Sequence, residues 1–359
     1  MKITPSTPLH FPCGTTMKNR FMLSPMTNTQ SHANGTLSDT EFNWLTMRAK
    51  GGFGMTMTCA AHVQAAGQGF PGQLGIFSEI QEAGHRRLTS AIKAEGSLAV
   101  IQLHHAGLRS PQELIGQAPM APSDLPKYGA KGMTISEVEK LRKDFILAAK
   151  RAKDWGYDGV EIHGAHGYIL SQFLSSEFNL RKDNYGGSLE NRSRLIFEIV
   201  DGIRETCGPE FLLGIRLSPE RFGMQLSEVK QVCSRLANEG RTDFIDLSLW
   251  DWQKEPEEEE YKGKTLLACF MELDFKEVRV AVAGKIVSGK DAAELLTQGV
   301  DFLAIGKAAI LHYDFPKLVE ANPNFKARPT PVTEAYLKEQ GLGPEFIKYM
   351  DRWPDFVEK

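Results

Sequence analysis

Eight short runs of apolar and β-branched residues, each followed by a longer stretch of helical spacing, leave this chain few folds to choose from. The runs are 20–25 (RFMLSP), 54–61 (GMTMTCAA), 98–104 (LAVIQLH), 159–163 (GVEIH), 211–218 (FLLGIRLS), 244–249 (FIDLSL), 278–283 (VRVAVA) and 302–306 (FLAIG). Such alternation is the pattern of βα units around a parallel sheet. Eight pairs favour a closed (β/α)8 TIM barrel, an α/β fold, over an open doubly wound sheet. The chain's 359 residues could hold two average domains, but barrels with insertions run past about 250 residues as one. One domain over 1–359 is therefore expected.

Helix starts support the alternation. Ser38 with Glu41, Ser136 with Glu139 and Ser288 with Asp291 have capping-box spacing, and Leu141, Phe145, Ala148, Ala152 and Trp155 keep a helical period behind the second. The sixth helix is the weak one, because 250–264 is an acidic loop and only 266–273 reads as helical. Three segments lie outside the barrel: a proline-containing arm to about Lys18, an insertion at 106–134 after the third strand, and a tail at 323–359. The insertion is long for a βα loop and is a candidate lid.

A net charge of −3 offers no basic excess for nucleic acid or anionic lipid, so no nucleic-acid or membrane partner is expected. No run approaches the ~18 apolar residues of a membrane span, and MKITPSTPLHFPCG has no signal-peptide core, which implies a cytoplasmic location. The five cysteines form no CxxC pair and read as reduced thiols.

In a barrel the chemistry sits where strands end. The first strand ends in Ser24-Pro25-Met26-Thr27, the third carries Gln102 and His104-His105, the fourth ends in HGAHGY (163–168), the fifth carries Arg216 and the sixth Ser248. His163 and His166 read in three ways: a packed and a solvated imidazole, a zinc pair lacking an evident third ligand, or donors to a substrate oxygen with Tyr168 as proton source. Arg216 needs an anion, either a structural partner such as Glu161 or a ligand. Gln102 reads equally as a core amide. Gly284-Lys285 and Gly306-Lys307, closing strands seven and eight, match the common phosphate site of this fold. Phosphate there, with a cation beside a planar head group, suggests a phosphorylated heterocyclic cofactor.

With these residues in place the chain, from about Leu9 to Phe315, resembles the old yellow enzyme family of FMN oxidoreductases. The likeness rests on Lys18-Asn19-Arg20 through Thr27, IQLHHAG (101–107), EIHGAHGY (161–168) and NYGGSLENR (184–192). It implies an FMN across the barrel mouth, lined by Ser24, Pro25, Met26, Thr27, Ala60 and Ser248, with Gln102 at its pyrimidine edge and Arg216 near N1. Gly284, Gly306 and Lys307 would hold its phosphate, and the charge of Arg216 would favour the reduced ring. His163 and His166 resemble the pair that holds a carbonyl or nitro oxygen, and Tyr168 the family's proton donor.

The activity so implied takes hydride from NAD(P)H through flavin N5 to the β-carbon of an electron-poor alkene. Alternatives are another FMN-barrel reduction or dehydrogenation, or a flavin-binding protein without turnover. The chain departs from the family at Lys307, where arginine is usual, and at Thr27, where one bacterial branch has cysteine. The aromatic which that branch places next is replaced by Asn28, Thr29 and Gln30. Residues 349–353 loosely resemble a tail that carries an arginine, here Arg352, into a neighbour's site in a homo-oligomer, and read equally as a surface arginine on a mobile tail.

Overall fold

In the computed structural model, which describes residues 3–359, the eight runs become eight parallel strands closed into a barrel. They are β1 (Phe21–Leu23), β2 (Met55–His62), β3 (Leu98–His104), β4 (Gly159–Gly164), β5 (Leu212–Leu217), β6 (Phe244–Ser248), β7 (Arg279–Ala283) and β8 (Phe302–Ile305). Each pairs with the next in sequence, and β8 closes on β1. Nearly every strand residue is buried on both faces, which is why the runs read as continuous instead of alternating.

Crossover helices α1 (Asp39–Lys50), α2 (Glu82–Ala94), α3 (Ile135–Asp154), α4 (Leu189–Cys207), α5 (Leu226–Glu239), α6 (Leu266–Met271), α7 (Gly289–Thr297) and α8 (Lys307–Leu311) surround them. Ser38 and Ser288 cap α1 and α7 as their spacing predicts. The cap of α3 is corrected: Thr134 and Glu137 form the box, two residues ahead of Ser136 and Glu139. Starting there leaves Val138, Leu141, Phe145, Ala148 and Ala152 on the barrel side. The expected helix at 266–273 ends at Met271.

The N-terminal arm makes a hairpin, Leu9–His10 against Thr16–Met17, and inserts Phe11 into the bottom of the barrel. Its ring meets Phe244 at 6.0 Å and Phe302 at 5.6 Å. A side chain at Gly214 would strike the Phe244 ring, its Cβ lying 2.0 Å from Cζ, so only glycine lets that ring fill the centre. The tail is docked on its own barrel: Phe346 is buried edge-on against Trp44 at 4.8 Å, and Gly343 N–H donates to Gln30 Oε1 at 2.7 Å.

Candidate active site

Strand period and register assemble the mouth. In β4 Glu161 and His163 point inward while Val160 and Ile162 join the outer core, because successive residues alternate faces. Register sets Gln102 beside Glu161, and Arg216 between His163 and Asp246. Gln102 Nε2 accordingly donates to Glu161 Oε1 at 2.6 Å, and Arg216 Nε lies 3.1 Å from Asp246 Oδ2. The ion-pair partner of Arg216 is thus Asp246 and not Glu161. The acid sits two residues before Ser248 on the same face, a spacing that could have revealed it. Burial first, then the charge of Asp246, pushes the Glu161 carboxyl well up.

Above this layer lie the imidazoles. His163 Nε2 and His166 Nδ1 face each other at 3.2 Å, and His166 Nε2 is 2.7 Å from Ser248 Oγ. Arg216 Nη2 donates to the same oxygen at 3.3 Å. A guanidinium is donor only, so the Ser248 hydroxyl proton is free to point to His166 Nε2. With that bond made, the His166 proton is on Nδ1, facing His163. Burial lowers the pKa of both histidines well below the usual value, and nearby charges add to the effect, so both are neutral at pH 7.

His166 is held at φ +61°, a left-handed conformation unusual for a residue with a side chain. Its N–H donates to Ser218 Oγ at 3.0 Å and its carbonyl accepts from Arg109 Nη1 at 2.5 Å. Tyr168 packs edge-on against His104 at 4.4 Å and His163 at 5.0 Å. Its phenol has no hydrogen-bond partner among the described residues, and burial raises its pKa, which keeps the proton on oxygen. Arg109 and His104 complete this cluster. IQLHHAG marked His104, whereas Arg109 follows that motif and only the folded insertion brings it here.

The opposite side of the mouth is shallower. Pro25, Met26, Thr27 and Ala60 are half-buried and Ser24 is buried, its N–H donating to Ile305 O at 3.0 Å. A bulge in β2 between Met57 and Ala60 carries Ala60 opposite Gln102. A Cβ at Gly306 would meet only Met26 Sδ, at 3.7 Å, so a ligand can approach that backbone closely. Gly284 sits at φ +154° against the backbone of 250–252, where a side chain would not fit. Lys307 Nζ reaches Thr330 Oγ1 at 3.0 Å and pairs with no carboxylate among the described residues. NYGGSLENR serves structure: Ser188 caps α4, and Arg192 binds Gly187 O and Glu228.

The residues present fit a planar phosphorylated cofactor: the approachable backbone of Gly306 and the anion-free Lys307 at the end of β8, and a buried cation at the centre, whereas at the end of β7 Lys285 is paired with Asp251 at 2.8 Å. A parallel barrel with such a mouth falls among the flavin-carrying barrel oxidoreductases. Residues 7–324 match the sequence model of the NADH:flavin oxidoreductase / NADH oxidase family, to which old yellow enzyme belongs, and the chain is a member of that family. It is therefore an FMN-dependent oxidoreductase reduced by NADH or NADPH.

Among its relatives is the probable NADH-dependent flavin oxidoreductase YqiG of Bacillus subtilis, 34% identical over 85% of this chain and 84% of that protein. An NADPH dehydrogenase of Bacillus pumilus is 33% identical over 85% and 90%. Morphinone reductase in complex with tetrahydroNAD superposes with a TM-score of 0.80 at 26% identity, covering all of this chain and 98% of the other. Other relatives are longer, and the chain spans between 31% and 48% of their length. Among the described residues no helix is long and apolar enough to cross a membrane, and no three His, Cys, Asp or Glu side chains are arranged to hold a metal.

Proposed function

We propose that the chain is an ene-reductase, reducing the C=C bond of an α,β-unsaturated carbonyl or nitro compound. The observation that carries this reading is the convergence of His163 Nε2 and His166 Nδ1 beside the unpartnered phenol of Tyr168. An oxygen inserted between the two nitrogens accepts from both once His163 carries its proton on Nε2. A Ser248 hydroxyl that donates to His166 Nε2 would hold His166 in the matching tautomer. The two N–H groups then stabilise the negative charge that grows on that oxygen as hydride reaches the β-carbon.

Tyr168 supplies the proton to the α-carbon and regains one from solvent, so the alkene gains one hydride and one proton. When bound, FMN supplies the carrier that takes hydride from NAD(P)H and hands it on. Ser24, Pro25, Met26, Thr27 and Ala60 would line its ring, with Gln102 and Arg216 at the polar edge and Gly284, Gly306 and Lys307 at the phosphate. The insertion at 106–134 acts as a wall and cover, since Arg109 already ties it to His166.

Stopped-flow measurement on Tyr168→Phe tests the reading. Reduction by NADPH is expected near wild type, while reoxidation by cyclohexenone slows by roughly 10² to 10⁴, the range for loss of a general acid. Highly activated nitroalkenes are expected to react still, because their nitronate product needs no immediate proton. Impairment confined to the reduction step would reassign Tyr168 to nicotinamide binding.

A further inference from the structure

The mouth continues outward from His166 into a cavity of about 290 Å³ whose charge does not balance. Four ionisable side chains at its rim matter here. Lys254 is neutralised by Glu220 at 2.6 Å. Arg109 has no carboxylate partner among the described residues, and its one hydrogen bond goes to the His166 carbonyl. Arg221 has only Glu257, at 4.0 Å and exposed, a separation at which solvent screens most of the attraction. Two cations thus face one small cavity in a chain whose net charge is −3.

Their placement is constrained as well. Arg221, Phe222 and Trp250 all adopt left-handed backbone, at φ +72°, +56° and +66°, in the loops after β5 and β6. Such conformations are costly for bulky residues and cluster where a structure holds side chains for a purpose. Here they set the Arg221 guanidinium near both rings, 5.8 Å from Phe222 and 5.6 Å from Trp250, and leave Trp250 60% exposed. A guanidinium with free N–H groups beside an exposed flat ring is suited to an oxyanion attached to a planar group.

We propose that Arg109 and Arg221 form an oxyanion subsite for the outer end of the molecule lying over His163, His166 and Tyr168. The oxyanion is a carboxylate on the alkene substrate or a phosphate of the nicotinamide dinucleotide, which would occupy the same mouth in turn. The assignment rests on the reading of this mouth as the reducing site, but equilibrium binding tests it without turnover. The ligands are 4-oxo-4-phenylbutanoate, its uncharged methyl ester, and tetrahydroNAD, which cannot give up hydride.

Calorimetry on the FMN-loaded wild type is expected to show the acid, the dinucleotide or both binding with an affinity that falls with ionic strength. Arg221→Ala, which leaves the His166 contacts untouched, and Arg109→Ala should each weaken the charged ligand about tenfold or more while the ester shifts little. Arg109→Lys should restore part of the loss. Weakening confined to the acid assigns the subsite to the substrate, and weakening confined to tetrahydroNAD assigns it to the dinucleotide. Unchanged affinity for both charged ligands in both alanine variants overturns the proposal. Failure of ene-reduction with this charge discrimination intact would overturn the reading of the function alone.

Discussion

The two ends of the barrel are built from the same eight strands and have opposite character. At the bottom Phe11, Phe244 and Phe302 meet Met22, Met57 and Leu212 in a sealed apolar plug. At the mouth the inward side chains are Gln102, His104, Glu161, His163, Arg216 and Asp246, all buried, and several of their polar atoms lack a partner. His166, Arg221, Phe222, Trp250 and Lys285, all near strand ends at the mouth, add left-handed backbone. The contrast separates two demands: one end supplies packing free energy, and the other spends some of it to hold polar groups ready for a ligand.

Deleting the plug should have the largest effect on stability. Phe244→Ala empties the space that Gly214 leaves for the ring and should cost about 3–5 kcal/mol of unfolding free energy, read as a shift in urea midpoint. The folded fraction should keep its rate with enones. A loss of rate without loss of stability would show that the two ends are not separable.

Acid should strike the other end. Burial lowers His62 to about 4 and His105 to about 3, and Gly107 N–H donates to His105 Nδ1, a contact that imidazolium cannot accept. These folded values lie below the ordinary 6.5. The unfolded chain therefore binds more protons between pH 6.5 and those values, and stability falls as pH is lowered through that window. Each ring contributes about 1.4 kcal/mol per pH unit there, so unfolding free energies from urea titrations at pH 7 and pH 5 should differ by several kcal/mol. A flat profile would mean that these rings are hydrated.

Replacing both donors, His163→Ala with His166→Ala, should slow reoxidation by cyclohexenone by about 10² or more and weaken binding of phenols, whose oxyanion imitates the charged oxygen. Its effect on thermal midpoint should be smaller than that of Phe244→Ala. The smallest effect concerns the shallow edge. Lys307→Ala should weaken FMN retention by about tenfold, measured by flavin fluorescence released on dialysis, with circular dichroism unchanged. A protein that is colourless and takes up no FMN on reconstitution would remove the basis for both of these variants.

All eight strand runs could be located from the chain because a strand buried on both faces is an unbroken apolar run between turn residues, a signal carried by neighbouring positions. His163, His166, Tyr168 and Arg216 could be picked out as candidates for a related reason, since polar groups at or just after the end of such a run are unusual, and the structure brings them to one mouth. The α3 cap was misplaced by two residues, because Ser136-Glu139 and Thr134-Glu137 have the same spacing and only the docked face distinguishes them. The tail was open to reading as a mobile arm, since nothing local shows that Phe346 finds Trp44 some 300 residues earlier.

By itself, then, the sequence determined the barrel and the polarity of its mouth, which follow from short-range period and from residue types at strand ends, while its likeness to a family rested on four longer motifs. Tertiary structure decided which groups meet: Asp246 with Arg216, Ser248 with the far nitrogen of His166, Ala60 carried opposite Gln102 by a bulge, Phe11 in the bottom plug and Arg109 over Tyr168. Those meetings depend on register between strands and on how loops dock. Both are set by packing among residues far apart in the chain, so no local pattern encodes them.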